Sequence, residues 1–384
     1  MNISPRIKYI GVNDHDITLF EGQYQVKNGM SYNSYLILDD KITIMDTVDA
    51  HFTEEWLHNI QTTLGGQKPS FLVVQHMEPD HSASIYHFMQ RYPQTILVAS
   101  AKAFPMLKNF FGTDYPDRRL IVKEGDLLCL GTHSLTFMEA PMVHWPEVIM
   151  TYESTSKTLF SADAFGKFGA LDVTEEWLSE ARRYYIGVVG KYGTQVQRLL
   201  EKAAKVDIEN ICPLHGPILT KDLPYYLNLY RIWSGYEVEQ DGILIAYNSI
   251  YGNTQKAVDV LNRLLCQNTS AKVILKNLAS CDMAEAVSDA FCYGTLILAT
   301  TTYNGGIFPC MREFITQLSE HNYQNRRVGI IENGSWAPTA AKTIKAMLGN
   351  SKNITFLEPT VTIHSALSDE SYQKLLLLAN NVIQ

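Results

Sequence analysis

Four ligand-type side chains fall within six residues of this sequence, His76-Met77-Glu78-Pro79-Asp80-His81. They follow the apolar run Phe71-Leu72-Val73-Val74, which reads as a buried strand, so the ligand groups are expected on the loop that leaves it, stiffened by Pro79. A lone His-x-Glu would be ordinary. Four such groups together are costly to desolvate unless a cation compensates them. Three later segments offer the same side-chain types in similar strand-to-loop contexts: His144 in Ala140-Pro141-Met142-Val143-His144-Trp145-Pro146, Asp163 in Phe160-Ser161-Ala162-Asp163-Ala164-Phe165-Gly166, and His215 in Cys212-Pro213-Leu214-His215-Gly216-Pro217. Taken singly, Asp163 could cap a turn and His215-Gly216-Pro217 could be a bend. Together the segments supply four imidazoles and three carboxylates, enough for two metals with one bridging carboxylate. The six cysteines are scattered with no CxxC pair, so any metal here is held by nitrogen and oxygen.

A second constellation points to a phosphate. The strand-like run 242–247 ends in Asn248-Ser249-Ile250-Tyr251-Gly252-Asn253-Thr254 and then a helical pattern. The hydroxyls of Ser249 and Thr254, N–H groups made accessible by Gly252 and the helix N-terminus would converge on an anion. No Gly-Lys-Ser/Thr ending follows, so a monophosphate fits better than a triphosphate. Two further strand-end loops, Thr300-Thr301-Thr302-Tyr303-Asn304-Gly305-Gly306 and Asn333-Gly334-Ser335-Trp336-Ala337-Pro338, would meet the first at the carboxyl ends of a doubly wound sheet, with Pro338 suited to open the next helix. Tyr303 and Trp336 offer flat surfaces for a planar ring. The expected contacts are Ser249, Ile250, Tyr251, Gly252, Asn253 and Thr254, then Thr301, Thr302, Tyr303, Asn304 and Gly305, then Gly334, Ser335 and Trp336.

The elements that must position these groups divide the chain in two. The first half alternates β-like runs at 34–38, 42–45, 71–74, 95–99 and 134–138 with helical patterns at 51–64, 82–91 and 194–204. From Asp241 the rhythm becomes strand, glycine-rich turn, helix: 242–247 then 255–266, 294–299 then 311–318, 328–331 then 339–348. That succession predicts a parallel sheet with crossover helices. The boundary is expected in the polar stretch 234–240, giving domains 1–240 and 241–384, as a length of 384 residues suggests. An apolar content of 46%, a charged content of 19% and a dispersed net charge of -8 describe an ordinary globular α/β protein with no nucleic-acid partner. No signal-peptide pattern opens the sequence and no run spans a membrane, so a cytoplasmic protein is expected.

The His-x-x-x-Asp-His frame followed by separated His, Asp and His resembles the metallo-β-lactamase-like fold, and Glu78 is similar to the flavodiiron protein family, where zinc hydrolases of that fold typically carry histidine. A carboxylate in place of a neutral imidazole favours harder, higher-valent ions and so suits iron. The segments Ser31-Tyr32-Asn33-Ser34-Tyr35 and His144-Trp145-Pro146 look like the same family's signatures. The resemblance implies an N-terminal αββα sandwich followed by a flavodoxin-like doubly wound parallel sheet with FMN. It implies one iron held by His76, Glu78 and His144, another by Asp80, His81 and His215, and Asp163 bridging, although family members differ in whether the residue at His81 points at the iron. Many relatives have histidine where this chain has Asn28, so that residue's role does not carry over.

The implied activity is reduction of dioxygen to water, nitric oxide to nitrous oxide, or both, protecting an anaerobic or microaerobic cell. Two ferrous ions and one FMN hydroquinone hold the four electrons that dioxygen needs. The sequence carries no rubredoxin extension and no dinucleotide fingerprint, so electrons are expected from an external donor such as rubredoxin or a reduced deazaflavin. A head-to-tail homodimer or dimer of dimers is implied, and second-shell aromatics such as Trp145 and Tyr185 are expected to bear on substrate preference. The alternatives are a zinc hydrolase joined to a flavodoxin module, and an electron carrier whose first domain only docks.

Overall fold

The computed structural model describes residues 3–384; Met1 and Asn2, the start of the first expected domain, lie outside the described residues. The chain divides after Arg231 into two compact units.

The first unit holds two small two-stranded sheets, Val12–Asp14 with Met30–Tyr32 and Leu19–Phe20 with Tyr24–Gln25, and two large ones. One runs in the order Ile7–Tyr9, Tyr35–Ile37, Thr43–Met45, Phe71–Val73, Ile96–Ser100, Arg119–Val122. Its first three strands pair antiparallel and the rest parallel. The parallel connections are made through the helices Thr53–Leu64, Ile85–Arg91 and Ala103–Phe111, because parallel neighbours need a crossover. The other sheet runs Leu127–Cys129, Ser134–Glu139, Ile149–Glu153, Thr158–Phe160, Asn210–Cys212. One apolar cluster joins both sheets, with Ile37, Met45, Val73 and Val98 from the first and Leu135, Phe137, Ile149 and Phe160 from the second. This is the core of an αββα sandwich. Strands buried on both faces read as continuous apolar runs, which is why Phe71–Val73 and Tyr35–Ile37 were legible from composition.

The sandwich presents its ligand groups from strand ends. His76 comes three residues after Val73, Asp163 three after Phe160, and His215 three after Cys212. One expectation is corrected here. The segment after Glu78 is not a loop throughout: Pro79–Ser82 is a short helix with Pro79 at its start, where a missing N–H costs nothing. Asp80 and His81 therefore sit on a helical turn.

The second unit is built on one sheet whose main path, all parallel, runs Lys272–Asn277, Gln240–Tyr247, Tyr293–Tyr303, Arg326–Asn333, Ile354–Phe356; Val361–Ile363 adds a further parallel pairing to Arg326–Asn333, and the short Gly306–Ile307 pairs antiparallel with the end of Tyr293–Tyr303. In chain order that is 2-1-3-4-5, the flavodoxin-like winding, with its switch point between Gln240–Tyr247 and Tyr293–Tyr303. The edge strand Lys272–Asn277 has no fully buried residue, which is why its sequence announces it weakly. Pro338 does not open the following helix as expected: that helix is Ala340–Met347, with Thr339 as its N-cap. Among the described residues, no helix is long and apolar enough to cross a membrane.

Candidate metal centre and flavin cleft

The structure brings all seven expected ligand side chains together, in two groups. His76, Glu78, His144 and Asp163 form one, and Asp80, His81 and His215 the other, with the donor atoms of each group lying within 4.8 Å of one another. In the first, Oε2 of Glu78 lies 3.3 Å from Nε2 of His76 and 3.0 Å from Nε2 of His144. In the second, Oδ2 of Asp80 lies 3.2 Å from Nε2 of both His81 and His215. Asp163 reaches both groups. Its Oδ2 is 3.2 Å from His76 and 3.1 Å from His144, while its Oδ1 is 3.4 Å from His81 and 3.8 Å from His215. Two donors bonded at about 2.1 Å to one ion are separated by about 3.0 to 3.4 Å at octahedral to tetrahedral angles. Most of these separations match that range.

The electrostatics are those of a site built around positive charge. Burial works to raise the Asp163 carboxyl, but the charge of His76 and the hydrogen bonds of His144 and His76 outweigh it and hold it well below its usual range. Burial likewise opposes the ionised forms of Glu78 and His144, yet hydrogen bonding between them and their neighbours lowers Glu78 to about 2 and raises His144 to about 9. Both oxygens of Asp80 and Oδ1 of Asp163 are buried without accepting a hydrogen bond, lone pairs that a cation would satisfy.

The outer contacts differ between the groups. Nδ1 of His76 lies 2.8 Å from Oε1 of Glu147, which also accepts from Met77 N–H at 2.9 Å. Nδ1 of His215 instead faces the carbonyl of Ser31 at 2.7 Å, and the Ser31 hydroxyl accepts from Gly216 N–H at 2.8 Å. Trp145 stands edge-on to the His76 ring at 5.2 Å between centroids. Tyr185 packs its ring on Tyr230, while its neighbour Tyr184 meets the His215 ring at 5.5 Å between centroids and Tyr32 meets it at 6.0 Å. A π-helical turn, Tyr185–Val189, follows Tyr184 and shifts the register of side chains there. Asn28, the position left without a role, donates from Nδ2 to Oε2 of Glu175 at 2.6 Å. Glu147 was missed in the sequence although it lies three residues after His144, and the Ser31 carbonyl, a main-chain group, leaves no residue-type signal.

In the second unit a cavity of about 650 Å³ opens at the carboxyl ends of the central strands. Every expected contact lines it except Gly252, which instead caps the helix Asn253–Asn268 at φ 86° and donates its N–H to Ser249 Oγ at 3.1 Å. The cavity also takes in Asn333, Ala337, Thr339 and Ser365, which the sequence did not single out. Asn333 and Ser365 are tied to each other by paired hydrogen bonds of 3.0 and 3.1 Å. Tyr251 and Trp336 stand almost fully exposed at the rim.

A family model described as ODP family beta lactamase matches residues 30–216. The anaerobic nitric oxide reductase flavorubredoxin of Escherichia coli (strain K12 / DH10B) is 26% identical over 361 residues, covering 90% of this chain and 74% of that protein. Among solved structures, the rubredoxin oxygen:oxidoreductase of Desulfovibrio gigas superposes with a TM-score of 0.92 at 24% identity, covering 100% of this chain and 97% of that one. The flavodiiron protein of Giardia intestinalis gives 0.89 at 24%, covering 99% and 96%. Over nearly its whole length the chain has the fold of these solved structures.

The groups to test against these two sites are a pair of iron ions and FMN. The residues present fit both. Mixed imidazole and carboxylate donors with no thiolate suit iron, and the unsatisfied oxygens of Asp80 and Asp163 face the places where ions would sit. The cleft lies at the switch point, joins a helix N-terminus to hydroxyl groups of Ser249 and Thr254, and has the size of a nucleotide site.

Proposed function

We propose that this chain is a flavodiiron protein that reduces dioxygen to water, nitric oxide to nitrous oxide, or both. One observation carries the reading: a single buried carboxylate, Asp163, turns one oxygen to each of two ligand groups, one of which contains Glu78 rather than a further histidine. The names of the relatives, a nitric oxide reductase and an oxygen oxidoreductase, support the same chemistry. Dioxygen takes four electrons and four protons to give two waters; two nitric oxide molecules take two of each to give nitrous oxide and one water. The irons supply open coordination positions and part of the electrons, and FMN passes on the rest. In this assignment His76, Glu78 and His144 hold one iron, Asp80, His81 and His215 the other, and Asp163 spans them. Glu147 and Ser31 orient the imidazoles through their Nδ1 atoms. Ser249 and Thr254 would bind the FMN phosphate, with Tyr303 and Trp336 against its ring.

Electrons come from an external donor. We assign that role to rubredoxin or a reduced deazaflavin, place the protein in the cytoplasm of an anaerobic or microaerobic cell, and expect a head-to-tail dimer in which residues 1–240 of one copy serve residues 241–384 of the other. A variant that is monomeric should keep both cofactors and lose turnover. The deciding experiment is anaerobic reduction of the purified protein, then separate exposure to dioxygen and nitric oxide, with iron and FMN measured on the same sample. A reduced protein loaded with iron and FMN that consumes neither gas, or two zinc ions with flavin-independent hydrolysis, would sink the reading.

A further inference from the structure

A lysine is buried behind His215, where no part of the chemistry above uses it. Lys167 is only 5% exposed, and its ammonium pairs with Oε1 of Glu175. The other oxygen of Glu175 accepts from Asn28 Nδ2 at 2.6 Å. The Asn28 carbonyl in turn accepts from Ala170 N–H at 2.8 Å, so the segment from Lys167 to Glu175 is tied twice to the segment that begins at Asn28. Three residues further on, Ser31 holds His215 by its carbonyl and Gly216 by its hydroxyl. The circuit closes on itself, because the Lys167 stem lies against Gly216 so tightly that a Cβ there would come within 2.7 Å of Lys167 Cγ. Gly169 completes the fit: any side chain at that position would meet both Glu175 Oε1 and Lys167 Nζ.

Burying the lysine ammonium against a carboxylate that keeps only part of its exposure strips both charges of much of their water, and their attraction seldom exceeds that penalty by much, so the pair is weakly explained by stability alone. Its placement explains it better. His76 is backed by one carboxylate, whereas His215 is backed by a neutral carbonyl whose own segment is anchored by the Asn28, Glu175 and Lys167 chain. We propose that Lys167, Glu175 and Asn28 form one positioning unit for His215, so that loosening it alters the metal position at Asp80, His81 and His215 and spares the one at His76, Glu78 and His144. The inference rests on the di-iron reading above.

The test is Mössbauer spectroscopy of full-length protein loaded with 57Fe, comparing native, Lys167→Met, Glu175→Gln and Asn28→Ala proteins, with iron per chain measured alongside. Native protein should give two distinct iron signals. Each variant should shift or deplete one of them, with about tenfold to hundredfold weaker iron binding at that position, and leave the other in place. The double variant Lys167→Met/Glu175→Gln, which removes both charges, should lie closer to native than Lys167→Met alone. Two signals unchanged in every variant, or both altered alike, would overturn the proposal. Should Lys167→Met fail to fold, Asn28→Ala, at the exposed end of the chain of contacts, carries the same comparison. A native protein without iron would defeat the di-iron reading itself, a result distinct from variants that leave two native signals intact.

Discussion

Oε1 of Glu147 meets Nδ1 of His76 at 2.8 Å while the same imidazole turns Nε2 toward Glu78 and Asp163. A carboxylate behind a ligand histidine fixes its tautomer and raises its basicity. Glu147→Gln keeps the shape and removes the charge. It should weaken iron binding about tenfold to hundredfold, measured by competition with a chelator. Unchanged affinity would show that Glu147 only fills space.

The metal-free protein should respond to pH in a direction set by two groups. His144 is raised from 6.5 to about 9, burial being outweighed by its bonds to Asp163 and Glu78, so its contribution to stability is whole below 6.5 and lost as pH rises through about 9. Glu78 is lowered from 4.5 to about 2, so its contribution is whole above 4.5 and lost as pH falls through about 2. Thermal scans after chelation should therefore show Tm falling as pH rises from 6.5 toward 9. With iron present the imidazoles must be neutral, and the alkaline fall should disappear. An apoprotein equally stable at both ends of the alkaline range contradicts this.

For the flavin, Thr254→Val removes a hydroxyl from the helix that opens at Asn253 and faces the cleft. Losing a hydrogen bond to a charged phosphate costs about 1.5 to 3 kcal/mol, so the FMN dissociation constant should rise by about one to two decades. Trp336→Ala, at an exposed rim, should cost less, about 0.5 to 1.5 kcal/mol of ring packing. Fluorescence titration of the apoflavoprotein separates the two, and an order of effects opposite to this would displace the phosphate from the helix terminus.

Gly216 and Gly252 make a matched pair for a stability test. Both have positive φ, 79° and 86°, but a Cβ at Gly216 would press on Lys167 whereas one at Gly252 meets nothing within 4 Å. Gly252→Ala should cost about 1 to 2 kcal/mol from the left-handed backbone alone. Gly216→Ala adds the strain of overpacking, typically about 1 to 3 kcal/mol more. Urea unfolding of each variant gives the difference, and equal losses would mean that Lys167 yields.

What could be seen in the sequence depended on whether a role belongs to a side-chain type or to a direction. The ligand histidines and carboxylates stood out because charged and imidazole groups beside strands such as Phe71–Val73 are chemically conspicuous. The division of Asp163 between two groups was not visible in spacing, since it depends on how a carboxylate lies across strand ends far apart in sequence. Tyr184 and Tyr185 are both fully buried, and which of the two rings meets His215 depends on a helical phase that spacing alone does not fix. The short helix at Pro79–Ser82 was in principle legible, proline being favoured at a first helical position. Ser31 was not, because it acts through a carbonyl that every residue possesses. In the second unit the strong central strands carried their own pattern, while the edge strand Lys272–Asn277 did not.

Asp163 gives each ligand group one oxygen of the same rigid carboxylate. Orienting it for a first ion also orients it for a second, so the entropy of ordering is lost only once and occupancy of the two positions becomes thermodynamically linked. An ion in one position therefore pre-sets part of the other without being required for it, so a defect at one position is felt at its neighbour as a change in affinity rather than as its loss.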